Sequence, residues 1–263
     1  MCATCGCDAN ASSSIRQIGE DHDHSHDHTH DHTHSHGHGH SHSKTIVEVE
    51  KDVLYENNLL AQRNRGYFDA KNILALNLVS SPGSGKTSLL ERTLTDLKDQ
   101  FTCYVIEGDQ QTSRDADRIH ATGTKVAQIN TGKGCHLDAH MILHALQGMK
   151  PVENSILFIE NVGNLVCPAM FDLGEKERVV IISVTEGDDK PIKYPDMFHT
   201  STVCVINKTD LLPYVPFSME KVKEYARQVN PDLQFIEVSC TSGEGLPQWY
   251  QWLKEKVLLP QSV

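Results

Sequence analysis

The stretch ILALNLVSSPGSGKTSLLERTLTDL, residues 73–97, constrains the fold more than any other part of the chain. A continuous apolar run of strand length (73–80) passes into a turn of Ser, Pro and Gly, then into apolar residues at helical spacing. Such a segment makes a strand, a tight loop and a helix whose N-terminus faces whatever the loop encloses. That terminus offers free N–H groups and a positive dipole end, so an anion is the natural occupant. The phosphate-loop pattern is G-x-x-x-x-G-K-[ST]. Gly85, Lys86 and Thr87 meet it, while Ser80 stands where the first glycine belongs. The departure matters little, because backbone N–H groups cradle phosphates and Gly83 and Gly85 keep that backbone accessible, with Ser84 and Ser88 as further nucleotide-binding candidates in the same loop. Lys86 is placed to reach the β- and γ-phosphates, and the Thr87 hydroxyl to bind Mg2+. A plain Gly/Ser turn would need neither.

The rest of the chain from Ile73 repeats the strand–helix alternation. Strand candidates are TCYVIEG, KVAQIN, SILFIEN, RVVIISVT, STVCVIN and QFIEVS, and helices are expected at 138–147, 218–229 and 246–258. Strands apolar on both faces and separated by helices imply an α/β fold, with a mostly parallel sheet covered by helices on both faces. Residues 46–70 carry helical spacing in Val49, Val53, Leu54, Leu60 and Ala61 and form a leading helix to this domain, assigned to 46–263.

The first 45 residues are of a different kind. Cys2, Cys5 and Cys7 lie within a 1–20 segment that otherwise reads as polar spacer, and residues 21–45 place a histidine at every second position from His22 to His42. Asp, Ser, Thr and Gly fill the gaps, so nothing offsets the entropy of ordering, and the tract is expected to be disordered. The N-terminus lacks a basic start and an apolar block, which points to a cytoplasmic protein whose eight cysteines are reduced. They then read as metal ligands or core thiols. A net charge of −11 with neutral histidines argues against nucleic-acid and anionic-membrane partners.

Further motifs refine the nucleotide reading. NKTD, residues 207–210, ends a strand candidate: Asp210 can accept two hydrogen bonds from guanine, Lys208 can lay its stem along the purine, and Asn207 can tie loops together. SCTSGEG (239–245) follows the next strand as a second base-contacting loop. Asp109, after the second strand, is a candidate for Mg2+ and the γ-phosphate, with a helix N-cap as the plainer reading. Glu160 and Gly163 form an E-x-x-G element at another strand end; Glu160 suits Mg2+, and Gly163 can donate its N–H to the γ-phosphate. With Lys86, Asp109 and Glu160 are the candidate catalytic groups. Asn164 stands where fast small GTPases place a glutamine, so hydrolysis should be slow. Cys135 and His136 precede a helix, and Cys167 follows Gly163; the set suits Zn2+ or Ni2+ as well as it suits an ordinary core thiol beside a surface histidine. His140 and His144 continue from His136 at i+4 steps, as further ligands or, more simply, as a solvated face.

Taken in order, MCATCGC, the histidine tract, SSPGSGKTS, EGD with DADR, GCHLDAHM, ENVGNLVCP and NKTD resemble the HypB-type hydrogenase nickel-incorporation GTPases. The resemblance implies a P-loop G domain using GTP/GDP and Mg2+, and nickel delivery to the [NiFe]-hydrogenase active site. It implies a metal site (Ni2+ or Zn2+) at Cys135, His136 and Cys167, a homodimer promoted by GTP, and hydrogenase maturation proteins and the hydrogenase large subunit as partners. Within this reading Cys2, Cys5 and Cys7 form an unburied C-x-x-C-G-C chelate that acquires and hands over Ni2+, a Zn2+ site being the alternative. The rival functions are nickel or zinc storage by the tail, beside a P-loop domain with unrelated work, and an ATP-dependent kinase or ATPase, against which NKTD argues.

Overall fold

The computed structural model describes residues 14–17, 46–109, 113–132 and 134–258. Cys2, Cys5, Cys7 and the histidine tract lie outside the described residues. Among those residues one eight-stranded sheet forms in the order β1-β4-β3-β5-β2-β6-β7-β8. Its strands are β1 (Ser14–Gln17), β2 (Leu74–Ser80), β3 (Cys103–Asp109), β4 (Lys125–Asn130), β5 (Ile156–Glu160), β6 (Glu177–Ser183), β7 (Val203–Asn207) and β8 (Gln234–Glu237). The helices are α1 (Ile46–Ala70), α2 (Lys86–Leu97), α3 (Arg114–His120), α4 (Ala139–Met149), α5 (Cys167–Met170), α6 (Lys190–Lys193), α7 (Pro195–His199), α8 (Met219–Val229) and α9 (Leu246–Leu258).

Strands β2 to β8 are parallel, as continuous apolar runs joined by helices require. The expectation for residues 1–20 needs one correction: Ser14–Gln17 is not spacer but an antiparallel edge strand, with Ser14 opposite Asn130 and Gln17 opposite Ala127. SIRQ is too short and too polar to announce itself by alternation. It forms because β4 would otherwise leave a row of unpaired N–H and C=O groups.

Side-chain alternation divides the interior. One core packs Leu76, Leu78, Val105 and Phe158 of the sheet against Leu89, Leu90 and Leu94 of α2, with Trp249 and Leu253 of α9. On the other face, Ile106, Ile129 and Ile159 meet Ile142 and Leu146 of α4 and Phe68 of α1. A third cluster joins β6 and β7 to α7 and α8 through Ile182, Ile206, Phe198 and Val222. The same alternation sets the ends of the strands: Glu107, Asp109 and Glu160 fall on the face that α2 covers. Among the described residues no helix is long and apolar enough to cross a membrane.

Candidate functional site

A cleft of about 570 Å3 opens where β2, β3 and β5 end and α2 begins. This is where a doubly wound sheet leaves a crevice beyond the strand carboxyl ends. Residues 80–88 line it from one side, with Glu107, Asp109, Glu160, Gly163 and Lys208 on the others. Lys86 opens α2, so the phosphate loop delivers its N–H groups to a helix N-terminus. Gly83 and Gly85 adopt φ of 79° and 89°, in the left-handed region that glycine enters without strain. At Gly85 space is decisive as well, because a Cβ would lie 2.4 Å from Asn207 Nδ2.

That asparagine straps the loop at 80–88 to the loop that follows β7. Asn207 Nδ2 donates to the Ser84 carbonyl at 3.0 Å, and Lys208 Nζ donates to the Gly83 carbonyl at 2.6 Å. Asp210 follows, one of its oxygens accepting a 2.6 Å hydrogen bond from Ser239 Oγ in the SCTSGEG loop. The hydroxyl of Ser239 also accepts from the Ser242 N–H at 3.0 Å, which fixes its proton toward Asp210. Ser88, one turn into α2, accepts from Arg118 at 3.3 Å.

The acidic positions meet on the floor of the cleft. Glu160 is buried; its Oε1 lies 2.8 Å from Lys86 Nζ and accepts from Thr87 Oγ1 at 2.6 Å. Glu160 Oε2 has no hydrogen-bond partner among the described residues. Asp109 ends β3 and does not cap a helix: α3 starts at Arg114 and Ser113 occupies its N-cap position. Glu107 went unnoticed in the sequence, although its place two residues before Asp109 puts it on the same strand face. Burial, then the charges of Glu160 and Asp109, push its carboxyl up to about 8, with Lys86 pulling the other way.

Beside this cleft lies a cluster of soft ligands. The Cys135, His136 and Cys167 donor atoms all fall within 4.8 Å of one another. Cys135 Sγ is 3.8 Å from His136 Nδ1. The His136 ring stacks on Phe171, with centroids 3.9 Å apart and planes at 25°. Burial holds the His136 pKa below its ordinary value, against the opposite pull of Asp138. A neutral imidazole is the form that ligates. Cys167 is buried at the start of α5, and Phe171 follows that helix directly, so one short turn carries both a thiol and the ring that holds the histidine. His140 and His144 are exposed on α4, their Nε2 atoms 3.0 Å apart, and are not part of the three-residue cluster.

A close approach and several hydrogen bonds connect the cleft to the cluster. Gly163 passes close to the phosphate loop, its Cβ position only 3.3 Å from Pro82. Next to it, Asn164 Nδ2 makes a long 3.5 Å hydrogen bond to the Cys135 carbonyl, while its Oδ1 accepts from the Val166 N–H at 2.8 Å. Asn161, fully buried, accepts the Leu137 N–H at 3.1 Å and donates to Asn77 at 3.3 Å. Neither Phe171 nor Asn161 carries a signal of its own in the sequence; both lie within the segment between Glu160 and Phe171.

A family model for the CobW/HypB/UreG nucleotide-binding domain matches residues 74–237. Hydrogenase maturation factor HypB of Escherichia coli K12 is 60% identical over 211 residues, 80% of this chain and 73% of that protein. The chain belongs to this family, among its HypB hydrogenase maturation factors. A probable HypB of Methanocaldococcus jannaschii is 41% identical over 212 residues, covering 81% of this chain and 96% of its own length. The crystal structure of HypB from Helicobacter pylori in complex with nickel has a TM-score of 0.73 and 41% identity, covering 77% of this chain and 95% of that one. HypB from Archaeoglobus fulgidus gives the same score and identity, covering 77% and 99%. The cleft of this HypB-family chain is therefore that of a nucleotide-binding P-loop domain.

Proposed function

We propose that this chain is a GTP-hydrolysing nickel metallochaperone of the cytoplasm that delivers nickel during assembly of the [NiFe]-hydrogenase active site. The observation that carries the reading is the segment from Glu160 to Cys167, which runs from the nucleotide cleft to the soft-ligand cluster within eight residues. Asp210, set by Ser239, is the guanine acceptor. Lys86 and the loop from Gly83 to Ser88 hold the phosphates, and Gly163 meets the γ-phosphate. Thr87, Asp109 and Glu160 suit magnesium, since two of them already share one hydrogen bond and Glu160 keeps a buried oxygen unpartnered. When bound, magnesium neutralises charge on the phosphates.

Nickel is cargo in this reading. Cys135, His136 and Cys167 take it, zinc being the competing occupant, and Cys2, Cys5 and Cys7 are a second chelate. GTP holds the Gly163 segment in one arrangement and hydrolysis releases it. Asn164 and Asn161 carry that change to the Cys135 loop, so metal affinity differs between GTP and GDP states. Linkage makes the effect reciprocal, with a typical coupling of about 1–3 kcal/mol. GTP also promotes a homodimer, and hydrogenase maturation proteins and the large subunit receive the metal.

The test uses the chain with Cys2, Cys5 and Cys7 changed to Ser and the histidine tract 22–42 deleted, which removes the metal ligands of the tail and leaves Cys135, His136 and Cys167. Nickel and zinc are titrated with GDP and with a non-hydrolysable GTP analogue, and phosphate release from GTP and ATP is followed in parallel. The reading expects slow, GTP-selective release and isotherms that part between nucleotides. Superimposable isotherms would leave a storage protein as the better description.

A further inference from the structure

Glu107 lines the nucleotide cleft and has no part in the reading above. In the sheet it stands directly opposite Glu160 on the neighbouring parallel strand. Adjacent strands lie about 4.8 Å apart, so the two side chains leave the backbone as close neighbours on one face. Asp109, two residues on, shares that face. Three carboxyl residues therefore line one side of the cleft, and Glu160 among them meets Lys86 and Thr87.

The two glutamates are almost wholly enclosed, at 2% and 1% exposure. Each has one oxygen, Oε2, that is buried with no hydrogen-bond partner among the described residues. Buried polar atoms are nearly always paired, because an unpaired one forfeits its hydration for nothing. Two carboxyl oxygens left over in this way, on residues in register and lining the same cleft, are a poor design for stability alone. They are a good design for accepting hydrogen bonds from something cationic that enters the cleft with its own water. Lys86 does not fill the role, since its ammonium is engaged with Glu160 Oε1. Magnesium keeps several of its waters when bound through one or two carboxylates and phosphate oxygens, and those waters need acceptors.

We propose that Glu107 is a positioning residue for the magnesium of the bound nucleotide, accepting hydrogen bonds from the water shell of the ion beside Glu160 and so setting the cation affinity of the nucleotide complex. The proposal rests on the magnesium–nucleotide reading of the cleft. It assigns Glu107 no contact with the phosphates, which separates its effect from nucleotide binding as such. Acceptors of this outer kind typically change metal affinity by about 10–100-fold when removed.

Mn2+ is the probe, because its free ion is counted directly by electron paramagnetic resonance. The full chain, Glu107→Gln and Thr87→Val are each loaded with GDP and titrated with Mn2+, and GDP affinity is measured separately in excess EDTA. Glu107→Gln should weaken Mn2+ binding about tenfold and leave GDP affinity in EDTA within about twofold of wild type. Glu107→Asp, which keeps the carboxyl group and withdraws it by one methylene, should fall in between. If Glu107→Gln does not fold, the Glu107→Asp comparison decides alone. Unchanged Mn2+ affinity in the variant, with Thr87→Val still weakening it, overturns the role of Glu107 and leaves the magnesium reading standing. A wild-type complex that holds Mn2+ no better than free GDP overturns both. Equal losses of Mn2+ and EDTA-state GDP affinity would make Glu107 a structural support of the loop, and would also overturn the proposal.

Discussion

With Asp210 as the proposed guanine acceptor, Asp210→Asn should turn the preference from guanine toward xanthine, and the hydrogen bonds of Ser239 give both direction and size. Ser239 Oγ accepts from the Ser242 N–H and donates to Asp210 Oδ1, so its proton has one available direction. An asparagine at 210 must meet that proton with its carbonyl oxygen. Its amide nitrogen then takes the place of the second carboxylate oxygen and presents N–H groups to the N1–H and exocyclic amine of guanine. Two charge-assisted hydrogen bonds are lost, each worth about 1.5–3 kcal/mol. The sum of about 3–6 kcal/mol corresponds to a fall in GDP affinity of about 100-fold or more. Xanthine replaces the exocyclic amine with a carbonyl, which the new amide can serve as donor, so XDP should bind the variant better than GDP. Calorimetric titration of both nucleotides into wild type and variant measures the exchange. A variant that binds GDP within about threefold of wild type would show that Asp210 does not read the base.

Gly85→Ala should abolish nucleotide binding while the chain still folds, because the new Cβ would sit 2.4 Å from Asn207 Nδ2 at a φ of 89°; fluorescent GDP titration and far-UV circular dichroism check the two halves. His136 is protonated less readily folded than unfolded, chiefly through burial, so the unfolded state binds more protons below its ordinary pKa of 6.5. Metal-free protein should therefore lose stability as pH falls from 6.5 through the lower folded value, and His136→Gln should flatten that part of the urea-midpoint profile. Trp249→Phe removes the indole N–H that donates to buried Thr93 Oγ1 at 2.9 Å and should lower unfolding free energy by about 1–3 kcal/mol, read from urea denaturation.

The sequence was most legible where one physical requirement dominates a contiguous stretch. The apolar run 73–80 and the helix after it appear as β2 and α2 because burial on both sides of a parallel strand leaves no freedom of composition. The leading helix at 46–70 matches α1 in extent but not in its face: Val53 is exposed, whereas Asn57, Ala61, Asn64 and Phe68 are buried, the two asparagines by hydrogen bonds to Asp172, Ala139 and Leu173. Legibility failed where structure is made by a neighbour. Ser14–Gln17 is a strand only because β4 has an open edge, and that edge exists only in the folded sheet. The single-turn helices α5, α6 and α7 each begin at or beside a proline and are too short to show periodicity.

The candidate site divides along the same line. Lys86, Thr87, Asn207 and Asp210 sit in motifs whose spacing is local, and the structure brings both motifs to one cleft, joined by Asn207 at Ser84 and Lys208 at Gly83. Cys135 and Cys167 are far apart in sequence, and spacing alone left the pair undecided between ligands and core. Their approach depends on Asn161 and Asn164 reaching from the end of β5 to the loop after β4. Glu107 depends on register: its meaning comes from standing opposite Glu160, a fact about strand order that no reading along β3 alone contains. A motif search stops at strand ends, where glycines and carboxylates face the ligand. The residues one pleat below decide how much unpaired charge those ends must hold, and they become visible only when the order of the strands is known.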